Sequence, residues 1–394
     1  MSYREIRKNV FFVGAIDRDR RLFDELIPLP DGTTYNSYLI RGSEKTALLD
    51  SVDPPMVEVL MDNLAKTGIK KIDYIVSHHG EQDHSGAISN LIDKFPDSLV
   101  VTNGKCKAML IDLLHISEKK FKTVENGEEL SLGDQTLEFI MTPWVHWPET
   151  MSTYIKEEKI LFSCDFFGSH YATDKLTVSE NDIEKVMLAA KRYYGEIMLP
   201  FGSIIRKNLE KLKDYDIDMI APSHGPIHDD ISIIVDAYKK WSSGSLSNTV
   251  VIPYVSMHGS TKKMVEYLKG ALKKKGVNVI DFHMVEDDLG ELASALIDAA
   301  TIVIGTPTVL GGPHPQAVYA AYLARALRPG AKFLSIIGSY GWGGKTVEIL
   351  GDIVSTLKAE IIEPVIIKGY PTDSDLNMLD GLAQKIVDAH SRVL

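Results

Sequence analysis

IDYIVSHHGEQDH, residues 72–84, decides how this chain is read. An apolar, strand-like run from Ile72 to Val76 leads into His79, Glu81, Asp83 and His84, four potential metal ligands within six residues. Residues two apart do not face one another on a helix, so His79, Glu81 and Asp83 are expected to converge as a loop. Crowding imidazoles and carboxylates into one loop is costly unless a cation offsets the charge. The segment therefore predicts a metal site placed at the end of a strand.

Three more candidate ligands share that context. His146 follows LEFIMTPWV, Asp165 follows KILFSC and His224 follows the alternating stretch DYDIDMIAPS. Each lies just past a strand-like segment, and the four loops are expected to gather at one edge of a sheet, where a rigid scaffold holds ligands open to substrate. A lone histidine is more often a satisfied core or surface residue than a ligand. The dense cluster at 79–84 is what draws the isolated positions into one constellation.

Composition narrows the class. The 394 residues are 44% apolar and 25% charged, long enough for two or three domains. Lys and Arg total 43 against 54 Asp and Glu, a formal charge of −11, which argues against nucleic acid as partner. No apolar run approaches the roughly 20 residues needed to span a bilayer. The opening MSYREIRKNVFFVG is too polar for a secretory signal, so a cytoplasmic protein without membrane association is expected. Only Cys106 and Cys164 occur, which leaves no disulfide framework and no four-cysteine module; both read as buried small apolar residues.

The first half is strand-rich, with candidate strands at 36–40, 45–50, 73–77, 99–103, 136–141 and 159–163. After SSGSLSN (242–248), a small polar stretch that reads as a linker, strands and helices alternate. Strands are expected at 250–255, 277–283, 301–306, 332–339 and 363–368. Helices are expected at 261–275, 291–299, 316–327 and 345–359, with another at the end of the chain. Five strands alternating with helices predict a doubly wound parallel sheet. The expected domains are 1–248 and 249–394.

The loop after the first of those strands, Ser256-Met257-His258-Gly259-Ser260-Thr261, suits a phosphate: small residues expose backbone N–H groups at a helix N-terminus. It is neither a Walker loop nor a GxGxxG fingerprint. It resembles the phosphate loop of flavodoxins, which bind FMN. Two later loops fall where a flavodoxin contacts its flavin ring. They are Pro307-Thr308-Val309-Leu310-Gly311, after Thr306, and Ser339-Tyr340-Gly341-Trp342-Gly343.

The ligand set resembles that of the metallo-β-lactamase superfamily, whose hydrolases carry HxHxDH and bind zinc. Here Glu81 takes the third position, giving HxExDH. That form, followed by a flavodoxin-like half, resembles the flavodiiron proteins (A-type flavoproteins) along essentially the whole chain. The resemblance implies an α/β protein with an N-terminal metallo-β-lactamase-like αββα domain and a C-terminal flavodoxin-like domain. It implies a non-haem diiron site and FMN, and reduction of dioxygen to water or of nitric oxide to nitrous oxide. Carried over, His79, Glu81, His146 and Asp165 hold one iron, and Asp83, His224 and the shared Asp165 the other, with His84 as a further ligand. His170 and Tyr194 are similar to residues that line the family's substrate pocket, where they could supply protons or hydrogen bonds; the alternative is simple packing. Trp147 is expected to wall the pocket. The family pairs chains head to tail, so a homodimer or dimer of dimers is implied, as is a separate electron donor such as rubredoxin, or alternatively a deazaflavin. The rivals are a zinc hydrolase with an appended flavodoxin, against which Glu81 counts, and a redox carrier with a vestigial metal half.

Overall fold

The computed structural model describes residues 3–394. The chain divides into two compact units: residues up to Tyr193 together with Ser203–Ser242, and Tyr194–Gly202 together with Ser243–Leu394.

The first unit is built on two sheets. The seven-stranded sheet runs, from one edge to the other, Arg4–Arg7, Val10–Phe12, Tyr38–Arg41, Thr46–Leu49, Tyr74–Val76, Leu99–Thr102 and Phe121–Thr123. The five-stranded sheet runs Glu129–Ser131, Thr136–Met141, Met151–Ile155, Ile160–Cys164 and Met219–Pro222. Their facing sides interdigitate into one core, where Ile40, Leu49, Val76 and Val101 of the first meet Phe139, Ile155, Phe162 and Ala221 of the second. Tyr74–Val76 and Ile160–Cys164 are buried along their whole length, which suits their short runs of apolar and β-branched residues. Helices alternate with several of these strands along the chain. One of them, Gly104–Leu114, starts where the Asn103 side chain accepts from the backbone N–H groups of Lys105 and Cys106.

The second unit carries a parallel sheet in the order Asn278–His283, Ser247–Tyr254, Ala299–Val309, Phe333–Tyr340, the last paired with both Glu360–Ile361 and Val365–Lys368. Numbered along the chain this is the 2-1-3-4-5 order of flavodoxin-like sheets. Helices Ser260–Lys274 and Asp373–His390 pack together against it, and the latter begins with a capping box in which Thr372 and Asp375 bond each other's backbone. The turn Tyr194–Met198 belongs to this unit because it lies against helix Leu289–Leu296: a Cβ on Gly195 would sit 2.7 Å from Ala293 backbone atoms.

Three expectations change. The 345–359 helix covers only Thr346–Val354, because the Ser355 hydroxyl donates back to Asp352 O and Glu360–Ile361 is drawn into the sheet beside Phe333–Leu334. The 79–84 segment is a loop only as far as Glu81; Gln82–Ser85 forms one helical turn. The ligand loops gather at the ends of strands from two sheets rather than at one edge, since Tyr74–Val76 is in the seven-stranded sheet and the others are in the five-stranded one.

Candidate metal centre and flavin cleft

Five of the seven expected ligand side chains are buried and the other two, Glu81 and His146, nearly so. Their donor atoms form two touching groups. In one, His79 Nε2 and His146 Nε2 lie 3.0 and 3.2 Å from Glu81 Oε2, and each is 3.7 Å from Asp165 Oδ2. In the other, His224 Nε2 is 3.0 Å and His84 Nε2 3.3 Å from Asp83 Oδ2. Asp165 Oδ1 completes it, 3.1 Å from His84 Nε2 and 3.4 Å from His224 Nε2. One carboxylate thus turns an oxygen to each group. Donors about 2.1 Å from one ion lie about 3.0 to 3.6 Å apart at angles of 90 to 120°, so the spacings in each group suit a single cation.

The chemistry of the donor set fits a metal as well. The buried Asp83 oxygens and His84 Nε2 have no hydrogen-bond partner among the described residues. Burial pushes the His79 imidazole toward neutrality, but Glu149, Glu81 and Asp165 outweigh it and lift it well above the usual range. The same contest, with Asp165 and Asp83 opposing burial, pushes His224 up to about 10. Asp165 is held well below the usual carboxylate range, its burial outweighed by His84 and His224.

Partners on the far side of the ligands fix their orientation. His79 Nδ1 is 2.7 Å from Glu149 Oε1, which also accepts from the Gly80 N–H at 3.1 Å. His224 Nδ1 meets Thr34 O at 2.6 Å, and the Tyr193 hydroxyl donates to Asp165 Oδ1 at 2.8 Å. Beneath the cluster, Asp50 Oδ2 is 2.7 Å from His78 Nδ1 and accepts from the Ser223 hydroxyl at 3.1 Å, tying together the residues that precede His79 and His224. At the hairpin tip between Leu22–Phe23 and Ile27–Pro28, Asp24 lies near Glu81; its partial burial and the Glu81 and Asp83 charges push it up to about 6.

His170 is drawn to the same place. Its ring lies 5.1 Å from that of His224 and 4.9 Å from Tyr193, Nδ1 is 2.9 Å from Thr33 Oγ1, and burial pushes the imidazole well below its usual range. Its buried Nε2 has no hydrogen-bond partner among the described residues. Trp147 stands edge-on to His79 at 4.7 Å. Tyr194 is buried, and its neighbour Tyr193 is a tyrosine whose hydroxyl reaches Asp165. Sequence reasoning missed Tyr193, although Val186, Ala189, Ala190 and Tyr193 trace the buried stripe of their helix and marked it out. It also missed Glu149, Asp24 and Thr34, for which no pattern existed.

In the second unit a cleft of about 240 Å³ opens at the C-terminal ends of the parallel strands. Ser256, Met257, His258, Ser260, Thr261, Pro307, Thr308, Ser339, Tyr340 and Gly341 line it, joined by Gly369 and Tyr370, which were not anticipated. Gly259 forms the turn at the helix start with φ +85°, a conformation glycine adopts without strain. Val309, Leu310 and Gly311 form the tip of a small hairpin whose second strand is Gly312–Pro313. Leu310 and Trp342 are 94% and 71% exposed, so they and Gly343 stand outside the lining. The cleft suits a phosphate: Thr261 Oγ1 is buried in the first helical turn with no partner among the described residues.

Known proteins resemble this chain along both units. Residues 33–225 match the family model described as ODP family beta lactamase. A nitric oxide reductase of Moorella thermoacetica is 35% identical over 97% of each chain. The solved rubredoxin oxygen:oxidoreductase from Desulfovibrio gigas is 31% identical and superposes with a TM-score of 0.95 over 98% of both chains. The flavodiiron protein from Giardia intestinalis, 28% identical, superposes with a TM-score of 0.92 over all of this chain and 98% of that one.

Proposed function

This chain belongs to the flavodiiron protein family, and from that premise we propose that it reduces dioxygen to water, nitric oxide to nitrous oxide, or both, at the site built around Asp165. Among the described residues no helix is long and apolar enough to cross a membrane. The observation that carries the proposal is the Asp165 carboxylate, with one oxygen in each group of donors.

His79, Glu81, His146 and Asp165 Oδ2 would hold one iron, and Asp83, His84, His224 and Asp165 Oδ1 the other. When bound, two ferrous ions and reduced FMN supply four electrons, which is what dioxygen needs to reach water, and the irons alone supply the two for coupling two nitric oxide molecules. The chain's own part is positional. Glu149 keeps His79 with its Nδ1 proton outward and Nε2 inward, Thr34 O does the same for His224, and the Tyr193 hydroxyl fixes the twist of Asp165. Phe23, whose ring lies 5.0 Å from that of His170, and Trp147, beside His79, each set an apolar ring against the ligands, which keeps water from them. His170 is held neutral, and its free Nε2 offers a hydrogen bond to whatever diatomic enters.

In the second unit the loops 256–261, 307–308 and 339–341 would hold FMN, its phosphate on the helix N-terminus and Thr261. Exposed apolar side chains belong to the loops that line the cleft: Met257 lines it, Leu310 follows Thr308 by two residues and Trp342 follows Gly341. This supports a face covered by a second copy of the chain, paired head to tail so that the flavin of one copy serves the irons of the other. Electrons arrive from a separate protein, rubredoxin being the favoured donor. The test reduces the iron- and FMN-loaded protein anaerobically with reduced rubredoxin and measures consumption of each gas. Turnover of either supports the proposal; turnover of neither, with rubredoxin and with reduced deazaflavin alike, overturns it.

A further inference from the structure

A fourth loop reaches the flavin cleft. Gly369 and Tyr370 follow strand Val365–Lys368, and the loop is pinned to the strand bearing Tyr340 by the Gly369 N–H, which donates to Tyr340 O at 2.8 Å. The Tyr370 ring then leans over the turn at the start of helix Ser260–Lys274: a Cβ on Gly259 would lie 3.9 Å from Tyr370 Cε2. From one turn further along that helix, Lys263 places its Nζ 4.8 Å from the Tyr370 ring centroid and donates to Pro371 O at 2.9 Å. An aromatic ring that is 58% exposed is thus held in place by a cation and a backbone hydrogen bond, at the end of the cleft where the helix N-terminus and the unpartnered Thr261 hydroxyl await an anion.

We infer that Tyr370 is a flavin-binding residue that covers the phosphate end of FMN, that Lys263 is its positioning residue, and that together they make the cleft select FMN over riboflavin. The inference rests on the flavin reading of this cleft. A ring laid over the phosphate keeps water from it, which strengthens the attraction between the anion and the backbone N–H groups of the turn. Lys263, held by Tyr370 and Pro371 O, adds a fixed positive charge to the same end of the helix. Riboflavin has no phosphate and gains nothing from either.

The test strips FMN from the iron-loaded protein and titrates FMN and riboflavin separately, following quenching of flavin fluorescence. Tyr370→Ala is expected to weaken FMN about tenfold and riboflavin by less than about twofold. Tyr370→Phe, which keeps the ring, stays within about twofold of wild type for both. Lys263→Gln weakens FMN about threefold. Thr261→Val tests the cleft itself and weakens FMN. Should Thr261→Val weaken FMN while Tyr370→Ala leaves it unchanged, this inference alone fails. Equal losses of FMN and riboflavin in Tyr370→Ala would also overturn it, by placing the residue at the ring. If neither variant affects FMN, the flavin reading of the cleft fails with it.

Discussion

Replacing Glu149 with glutamine isolates what an outer carboxylate does for a metal ligand. Glu149 is fully buried, and its Oε1 accepts from Gly80 and meets His79 Nδ1, while Oε2 has no partner among the described residues. The amide oxygen of Glu149→Gln can keep both contacts at Oε1, and the new NH₂ takes the place of Oε2. Shape survives, so the loss divides into two parts. A buried amide donor without an acceptor costs about 1–3 kcal/mol of stability. Removing the negative charge lowers the basicity of His79, and outer partners of this kind are worth about 10- to 100-fold in metal affinity, or about 1.4–2.8 kcal/mol. The loss should fall on the iron held by His79, Glu81 and His146, and leave the iron at Asp83, His84 and His224 within about threefold. Apoprotein titrated anaerobically with ferrous iron against a chromophoric chelator separates the two affinities, and FMN affinity serves as an unaffected internal control. Equal weakening of both irons, or none at the His79 site, would refute the claim that Glu149 acts through His79.

Three further outcomes follow from the same contacts. Tyr193→Phe leaves Asp165 short of a buried charge-assisted hydrogen bond and should lower the stability of the metal-free protein by about 1.5–3 kcal/mol in denaturant unfolding; an unchanged midpoint would remove Tyr193 from the set of supporting residues. At pH 7 the imidazoles of His79, His84 and His224 are lifted toward their charged forms, and ligation requires them neutral. Adding ferrous iron to apoprotein in weak buffer should therefore release protons, and the His224 share should vanish as pH rises past about 10; iron binding without proton release contradicts the assigned donors. His228 is buried, with Nε2 bonded to Phe167 O, and burial lowers it to about 4. Below its unfolded value of about 6.5 the unfolded chain takes up a proton that the native one refuses, so stability falls as pH drops from about 6.5 to 4, by about 2 kcal/mol at pH 5. His228→Gln should shrink the difference in unfolding free energy between pH 7.5 and pH 5 by that amount.

The fold was largely written in hydrophobic rhythm. The alternation after residue 248 marks five strands of the parallel sheet, all but Glu360–Ile361, because buried parallel strands are continuous apolar runs, and the turn that opens the cleft announces itself through Gly259 and its hydroxyl neighbours. Local pattern failed where tertiary contacts decide. Tyr194–Gly202 joins the second unit through the close approach of Gly195 to Ala293, which no periodicity records. The helix from Thr346 stops early because Glu360–Ile361 finds a strand to pair with. At the metal site the chemistry-bearing residues were legible by type, since four donors crowded into six positions repel or strand one another unless a cation joins them. Their supports were not. Glu149 and Asp24 are single acids whose importance comes only from the side chains that folding sets beside them, and Gly369 lies 26 residues beyond Gly343, the end of the last loop expected at the flavin.

The sharing of Asp165 between two metal ions is tested most directly by iron stoichiometry. Anaerobic titration of the metal-free wild type should saturate at two ferrous ions per chain, and Asp165→Asn, which keeps the size of the side chain but not its charge, should weaken both together while FMN binding is unchanged. A single iron per chain in the wild type, or loss of only one in Asp165→Asn, would contradict a shared carboxylate.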